Sequence, residues 1–240
     1  MSDQPSAISH QPAIAIIDYG MGNLRSVQNA LAKVGARAEI ARDVNRIEAA
    51  AGVVLPGVGA FGACMDNLRT YQLIDPIKRV IARGTPFLGI CLGMQLLFDE
   101  SEEFGPVPGL GILPGRVVKF TSDSDLKIPH IGWNQIRKTQ NVPHLAGVDD
   151  GAFVYFVHSY YVVPADPALT ATSTDYGVTF ASAIARDNLF ASQYHPEKSQ
   201  AVGQVILRNF SALVAAQNAG DSPSISHQPS AISHKPKAPC

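Results

Sequence analysis

Over the first hundred residues, short apolar runs alternate with amphipathic stretches. Residues 13–17 form a continuous, β-branched apolar run of the kind that a sheet buries on both faces. Leu24, Val27, Leu31 and Val34 then recur on one helical face, with Asn23 placed to cap the start and Gly35 just past the end. Residues 37–40 and 53–55 read as the next two strands. Two helices follow, at roughly residues 64–70 and 76–83, the second with Asp75 as N-cap, Pro76 at its first position and Gly84 beyond its end. A fourth strand, residues 87–90, runs straight into a helix that begins near Leu92. This alternation predicts an α/β fold with a doubly wound, mostly parallel sheet, whose ligands lie at the carboxyl ends of the strands.

After Phe98 the pattern changes. Residues 102–115 read as loop. Strand-like runs follow at 116–120, 130–136, 153–157, 160–163, 178–183 and 190–194, with few helical stretches among them. They predict an added, smaller, partly antiparallel sheet. A last helix, from Ala201 to about Gln217, puts Val202, Val205, Ile206, Phe210, Leu213 and Val214 on its buried side, with Ser199 as candidate N-cap. Residues 1–12 and 218–240 are polar and aperiodic and read as disordered tails around one domain, 13–217. The heptapeptide at 4–10 recurs unchanged at 228–234. We find no physical reason for the duplication, and His10 and His234 read as solvated tail residues rather than metal ligands.

Composition narrows the function classes. The 240 residues are 46% hydrophobic, enough for one large domain that buries roughly 70% of its unfolded surface. A formal net charge of −1 offers no basic footprint for nucleic acid. The three cysteines, Cys64, Cys91 and Cys240, fall at unrelated spacings and imply neither a disulfide framework nor a metal site. No apolar run approaches the ~18 residues of a membrane span and no signal-peptide pattern opens the chain, so a cytoplasmic, membrane-free protein is expected.

The candidate chemistry centres on Gly89-Ile90-Cys91-Leu92-Gly93. Glycines two residues either side of Cys91, between a strand and a helix, reproduce a nucleophile elbow with a thiol in place of the hydroxyl. The helix start favours negative charge on the sulfur. The competing reading is a small buried hydrophobe. Near the other end, His195-Pro196-Glu197 offers a base and an orienting carboxylate two residues apart. In an extended segment they point the same way, and Pro196 disfavours a helix between them. Alone, His195 reads as a satisfied surface histidine rather than a base. Two glycine-rich loops, residues 18–23 and 56–61, follow strands. Gly57 and Gly59 remove side chains at alternate positions and permit close backbone approach, while the first loop lacks a phosphate-binding pattern and reads as a turn or a partner-facing loop.

Together, residues 89–95 and 195–197 resemble the class I glutamine amidotransferases, over about Ala13 to Gln217. Residues 18–23, 56–61, 129–134 and 155–160 resemble, within that class, the glutaminase subunits of imidazole glycerol phosphate synthases of histidine biosynthesis. The resemblance implies a flavodoxin-like fold and hydrolysis of glutamine to glutamate and ammonia through a thioester on Cys91. His195 would move protons and Glu197 would orient it. Oxyanion donors would be the backbone of Leu92 and of Gly57 or Val58. Gln95 and the main chain around Gly59, Ser159 and Tyr160 would hold the amino-acid end, though Gln95 also reads as a solvent-facing helix residue. No cofactor or metal is implied. The chain shows no site that uses ammonia, so the resemblance implies a heterodimer with a (β/α)₈-barrel cyclase subunit, with Met21, Asn23, Trp133, Tyr155 and Lys198 as docking candidates. Trp133 and Tyr155 are equally core residues by type. Rival readings are a glutaminase serving pyridoxal phosphate synthesis, a γ-glutamyl peptide hydrolase and a non-catalytic binding subunit. The Pro-Gly-Val-Gly loop and the intact Cys91, His195 and Glu197 weigh against the first and last.

Overall fold

The computed structural model describes residues 14–121 and 126–220. The first half runs β1 (Ile14–Ile17), α1 (Leu24–Lys33), β2 (Ala38–Ala41), α2 (Val44–Ala49), β3 (Gly52–Gly57), α3 (Phe61–Thr70), α4 (Ile74–Ala82), β4 (Phe87–Cys91) and α5 (Leu92–Gln95). Then come β5 (Phe98–Ser101), β6 (Val107–Pro108), β7 (Leu113–Lys119), β8 (His130–Gln135), β9 (Arg137–Lys138), β10 (Phe153–His158), β11 (Tyr160–Pro164), β12 (Thr170–Tyr176), β13 (Val178–Arg186), β14 (Leu189–Ser192) and α6 (Gln200–Asn218). The large sheet has the order β2-β1-β3-β4-β14-β13-β11-β7-β5-β6, with β12 beside β13 and β9 beside β12. From β2 to β14 all pairings are parallel. The sheet then continues through antiparallel β13, β11 and β7. β8 and β10 form a separate antiparallel ribbon.

The apolar runs are buried on both faces because helices cover both. Ala15 and Ile17 face a core shared with Phe61, Leu68, Ile77 and Val80 of α3 and α4. Ile14 and Ile16 face the opposite core, with Val27 and Leu31 of α1 and Ile206 and Phe210 of α6. The register fixes the site. β3 lies beside β4 with Gly57 opposite Cys91, and β14 lies on the other side with Ser192 opposite Ile90. The carboxyl ends of three neighbouring strands therefore bring residues 57–59, Cys91 and residues 193–195 together.

Several elements differ from expectation. α4 begins at Ile74 with Leu73 at the cap position, so Asp75 lies inside the first turn and Pro76 is its third residue. Proline lacks only an N–H that the first turn leaves unpaired anyway. α3 begins at Phe61, three residues before Cys64, and its Phe61 N–H donates to Glu103 Oε2 at 2.6 Å. α2 gave no signal because Ile47 is its one buried residue, although Asp43 caps it through Arg46 N–H at 3.0 Å. β12 gave none because it is rich in Thr and Ser. Its buried Thr172 shares a hydroxyl bond of 2.8 Å with Ser182. Part of the loop expected at 102–115 is strand, β6 and the start of β7. Asn218, expected in the tail, ends α6. Ala219 and Gly220, also expected in the tail, close the end of α6, while residues 1–13 and 221–240, with both copies of the heptapeptide, His10, His234 and Cys240, lie outside the described residues.

Candidate active site

Cys91 closes β4 with φ +55° and ψ −112°, a conformation that a side-chain-bearing residue adopts only where its surroundings impose it. Close packing supplies the constraint. A Cβ on Gly93 would lie 1.8 Å from the Leu55 carbonyl oxygen, and one on Gly57 would lie 2.8 Å from Gly93 N and 2.9 Å from Tyr19 Oη. The elbow is therefore pressed against β3. α5 is a single turn, too short to bring a long helix dipole to bear on the sulfur. Cys91 is 5% exposed, and the Val157 carbonyl at the end of β10 lies 4.0 Å from Sγ.

His195 lies beyond the end of β14, and Glu197 lies in a 3₁₀ turn, Pro196–Lys198, not in an extended segment. Pro196 takes the first position of that turn, which its fixed φ suits. The turn still aims the carboxylate at the imidazole, with His195 Nδ1 2.7 Å from Glu197 Oε1 and both side chains buried. The backbone locks the pair. His195 N–H donates to the Tyr155 carbonyl at 3.0 Å, and Ser199 Oγ donates to the His195 carbonyl at 2.7 Å and accepts Tyr155 N–H at 3.0 Å. Ser199 thus stands at the cap position of α6 without capping it. Burial lowers the His195 pKa, but the nearby Cys91 sulfur and the bonded Glu197 carboxylate outweigh it and bring it to about 10. His195 Nε2 has no hydrogen-bond partner. A thiol, an imidazole and an orienting carboxylate in this order can carry out nucleophilic acyl transfer.

Around the sulfur, Leu92 follows Cys91 and Gly57 lies opposite it across β3 and β4. Val58 is exposed, and its carbonyl accepts from Cys64 Sγ at 3.5 Å. Gly59 has φ +92° and borders Met21, whose Cε would be 3.1 Å from a Cβ there. Gln95 is buried rather than solvent-facing, with Nε2 donating to the Tyr160 carbonyl and to Gln193 Oε1, each at 2.9 Å. Ser159 and Tyr160 form the corner after β10, two and three residues past the Val157 carbonyl above the sulfur. Burial, then Glu103 and Glu102, raise the pKa of Tyr160.

Residues 15–213 match the model of the glutamine amidotransferase class-I family. The chain belongs to the class I glutamine amidotransferases. It is 56% identical over 202 residues to the imidazole glycerol phosphate synthase subunit HisH of Syntrophotalea carbinolica, an alignment covering 82% of this chain and 98% of that protein. It is 51% identical over 208 residues to the same-named subunit of Moorella thermoacetica, covering 86% and 98%. Among solved structures, a glutamine amidotransferase superposes with TM-score 0.65 at 17% identity, covering 84% of this chain and 98% of the other. PurLQS of Thermotoga maritima superposes with TM-score 0.65 at 16% identity, covering 87% and 99%, so these two share the fold.

Beside the amidotransferase elbow, the structure adds residues that sequence reasoning passed over. Tyr19 Oη donates to the Pro56 carbonyl at 2.8 Å and contacts Cys64 Sγ at 3.7 Å, anchoring the 56–59 loop from beneath. Burial first, then Glu103 and Cys91, push the Cys64 thiol up to about 11, against the lowering effect of its bond to Tyr19. Gln193 places Nε2 3.6 Å from Cys91 Sγ. None of these carries a local motif. Of the docking candidates, Trp133 is 45% exposed and Lys198 is exposed, while Met21 and Tyr155 are half-buried. Trp133 and Tyr155 are opposed across the ribbon, with ring centroids 5.9 Å apart, and Lys198 Nζ lies 5.7 Å from the Tyr155 ring. Asn23 is exposed, and its side chain caps α1. Among the described residues, no helix is long and apolar enough to cross a membrane and no group of His, Cys, Asp or Glu could hold a metal ion.

Proposed function

We propose that the chain is the glutaminase subunit of an imidazole glycerol phosphate synthase, supplying ammonia to a (β/α)₈-barrel cyclase subunit in a heterodimer. The observation that carries the reading is the buried His195–Glu197 pair, 2.7 Å apart, acting on Cys91 at a strained elbow. The Cys91 sulfur bonds to the side-chain amide carbon of glutamine, and the carbonyl π pair moves to oxygen. Collapse of this intermediate breaks the C–N bond. His195 hands its proton to the nitrogen, which leaves as ammonia. Water then attacks the thioester with His195 as base, the C–S bond breaks, and glutamate departs. Leu92 N–H and the Val58 or Gly57 N–H face the oxyanion, each donor worth about 2.7–4 kcal/mol in the transition state. Both Gln95 donors are engaged within the protein, so Gln95 offers substrate only its carbonyl oxygen. Gly59, Ser159 and Tyr160 line the amino-acid end. The exposed Ile131, Trp133 and Phe153 of the β8–β10 ribbon, with Lys198 beside them, fit a partner surface. A cavity of about 280 Å³ opens there between Trp133, Phe153 and the start of α6.

The test is the Cys91→Ser complex with the cyclase subunit, supplied with glutamine or with ammonium salt at alkaline pH. Product is expected from ammonium alone, because the ring-forming chemistry lies in the other chain. Product from glutamine would remove Cys91 as nucleophile. No product from either source, with the complex intact, would remove the partner assignment.

A further inference from the structure

The catalytic sulfur has a neighbour that the triad does not account for. Gln193 is fully buried between the end of β14 and His195, and its own N–H is fixed to the Ser182 carbonyl at 2.8 Å. The identity of its two amide atoms follows from its neighbours. The Tyr160 carbonyl can only accept, so the Gln95 atom 2.9 Å from it is nitrogen. That nitrogen gives its second hydrogen to Gln193, so the Gln193 atom facing it, also 2.9 Å away, is oxygen. The remaining Gln193 atom, 3.6 Å from Cys91 Sγ, is therefore an N–H donor aimed at the sulfur. The Val157 carbonyl, 4.0 Å from the sulfur, can only accept a hydrogen bond and so is no rival donor to it.

We propose that Gln193 is a second hydrogen-bond donor to the reacting sulfur, beside His195, with its orientation set by Gln95 and the Tyr160 carbonyl. The inference rests on the reading of Cys91 as nucleophile. A donor to sulfur strengthens as the sulfur gains negative charge. It therefore acts twice in the reaction. Before attack it stabilises the thiolate. During thioester hydrolysis it stabilises the sulfur as the C–S bond breaks and the electron pair returns to it. The carboxamide exchanges no proton at either stage, and neither step needs another reactant.

Gln193→Met keeps the length and volume of the side chain and removes the donor. The readout is the rate at which iodoacetamide alkylates Cys91 in the full chain, with peptide mapping to separate Cys91 from Cys64 and Cys240. Loss of a hydrogen bond to a charged group predicts a rate about tenfold lower near neutral pH, with a matching fall in kcat. The deficit should close at strongly alkaline pH, where the thiol ionises without help; general damage to the site would lower the rate at every pH. A wild-type alkylation rate near neutral pH, or a deficit equal at all pH values, would overturn the proposal. Should Gln193→Met not fold, Gln95→Met frees the Gln193 amide to turn and is expected to lower the neutral-pH rate severalfold; an unchanged rate there would overturn it equally. Cys91→Ser separates the two claims. Glutamine hydrolysis by that variant defeats the nucleophile assignment itself, whereas an inactive Cys91→Ser with unimpaired Gln193→Met and Gln95→Met defeats only the role of Gln193.

Discussion

At the scale of single residues, the loop at residues 56–59, the proposed source of an oxyanion donor, is held by bonds from below. Tyr19 Oη fixes the Pro56 carbonyl and Cys64 Sγ meets the Val58 carbonyl, so the peptides on either side of Gly57–Val58 are oriented by buried partners. Tyr19→Phe removes one donor and leaves a buried carbonyl unpaired, which costs about 1–3 kcal/mol. Urea denaturation should show that loss. Steady-state glutaminase assays should show kcat falling severalfold, because the donor peptide next to Cys91 loses its anchor. Iodoacetamide alkylation of Cys91 should hardly change, since Tyr19 lies on the loop side and not on the sulfur. An unaltered kcat in the destabilised variant would show that the loop keeps its shape without Tyr19.

At the scale of elements, the β8–β10 ribbon connects surface to site. Its inward positions, His130, Val154, Phe156 and His158, are buried, while Ile131, Trp133 and Phe153 face outward at 59%, 45% and 54% exposure. β10 meets the turn that begins at His195 through the Tyr155 carbonyl, which accepts His195 N–H, while the Tyr155 ring packs against Trp133 outside. Trp133→Ala is therefore expected to weaken binding of the cyclase subunit by at least tenfold in a calorimetric titration, as truncation of a central aromatic anchor does, with little change in melting temperature. An unchanged affinity would move the docking face elsewhere. The sequence made both strands legible through their length and β-branched, aromatic content, but not which side is wet, because apolar residues occupy both faces. The same limit explains what was readable at the site. Cys91 and the His195–Glu197 pair sit in local motifs whose glycines and proline have backbone consequences. The Tyr19–Pro56, Phe61–Glu103 and Gln193–Cys91 contacts span 37, 42 and 102 residues, with no periodicity to announce them. The local geometry expected for the His195–Glu197 pair was wrong, yet the two side chains still meet: a 3₁₀ turn brings Glu197 to His195 as well as an extended segment would.

At the scale of the whole molecule, buried histidines set how the fold responds to acid. Burial lowers the pKa of His130 and His144 to about 4 and that of His158 to about 3. His130 and His158 share a 3.0 Å ring-nitrogen bond, and His158 Nδ1 donates to the Tyr160 carbonyl at 2.9 Å, so both are held neutral inside the cluster beneath the ribbon. His144 lies against α6, stacked on Phe190 at 4.6 Å, with Nε2 unpartnered. As pH falls below about 6.5, the unfolded chain takes up protons at these positions and the folded chain does not, so stability is lost on acidification until the folded-state values near 4 and 3 are reached. Between pH 6.5 and 5.5 the loss is about 1 kcal/mol for each histidine and about 3 kcal/mol together. His195 works in the opposite sense. Its raised pKa gives stability that is complete below 6.5 and is lost as pH rises towards about 10, so the two effects leave a maximum near neutrality. Urea midpoints measured at pH 5.5, 6.5 and 7.5 would reveal that maximum. His144→Leu keeps the apolar packing against Phe190 and Phe210 and removes a titrating group, so it should abolish about a third of the loss between pH 6.5 and 5.5. A wild-type curve flat across that interval, or a His144→Leu curve parallel to it, would mean that these imidazoles accept protons without unfolding the core around them.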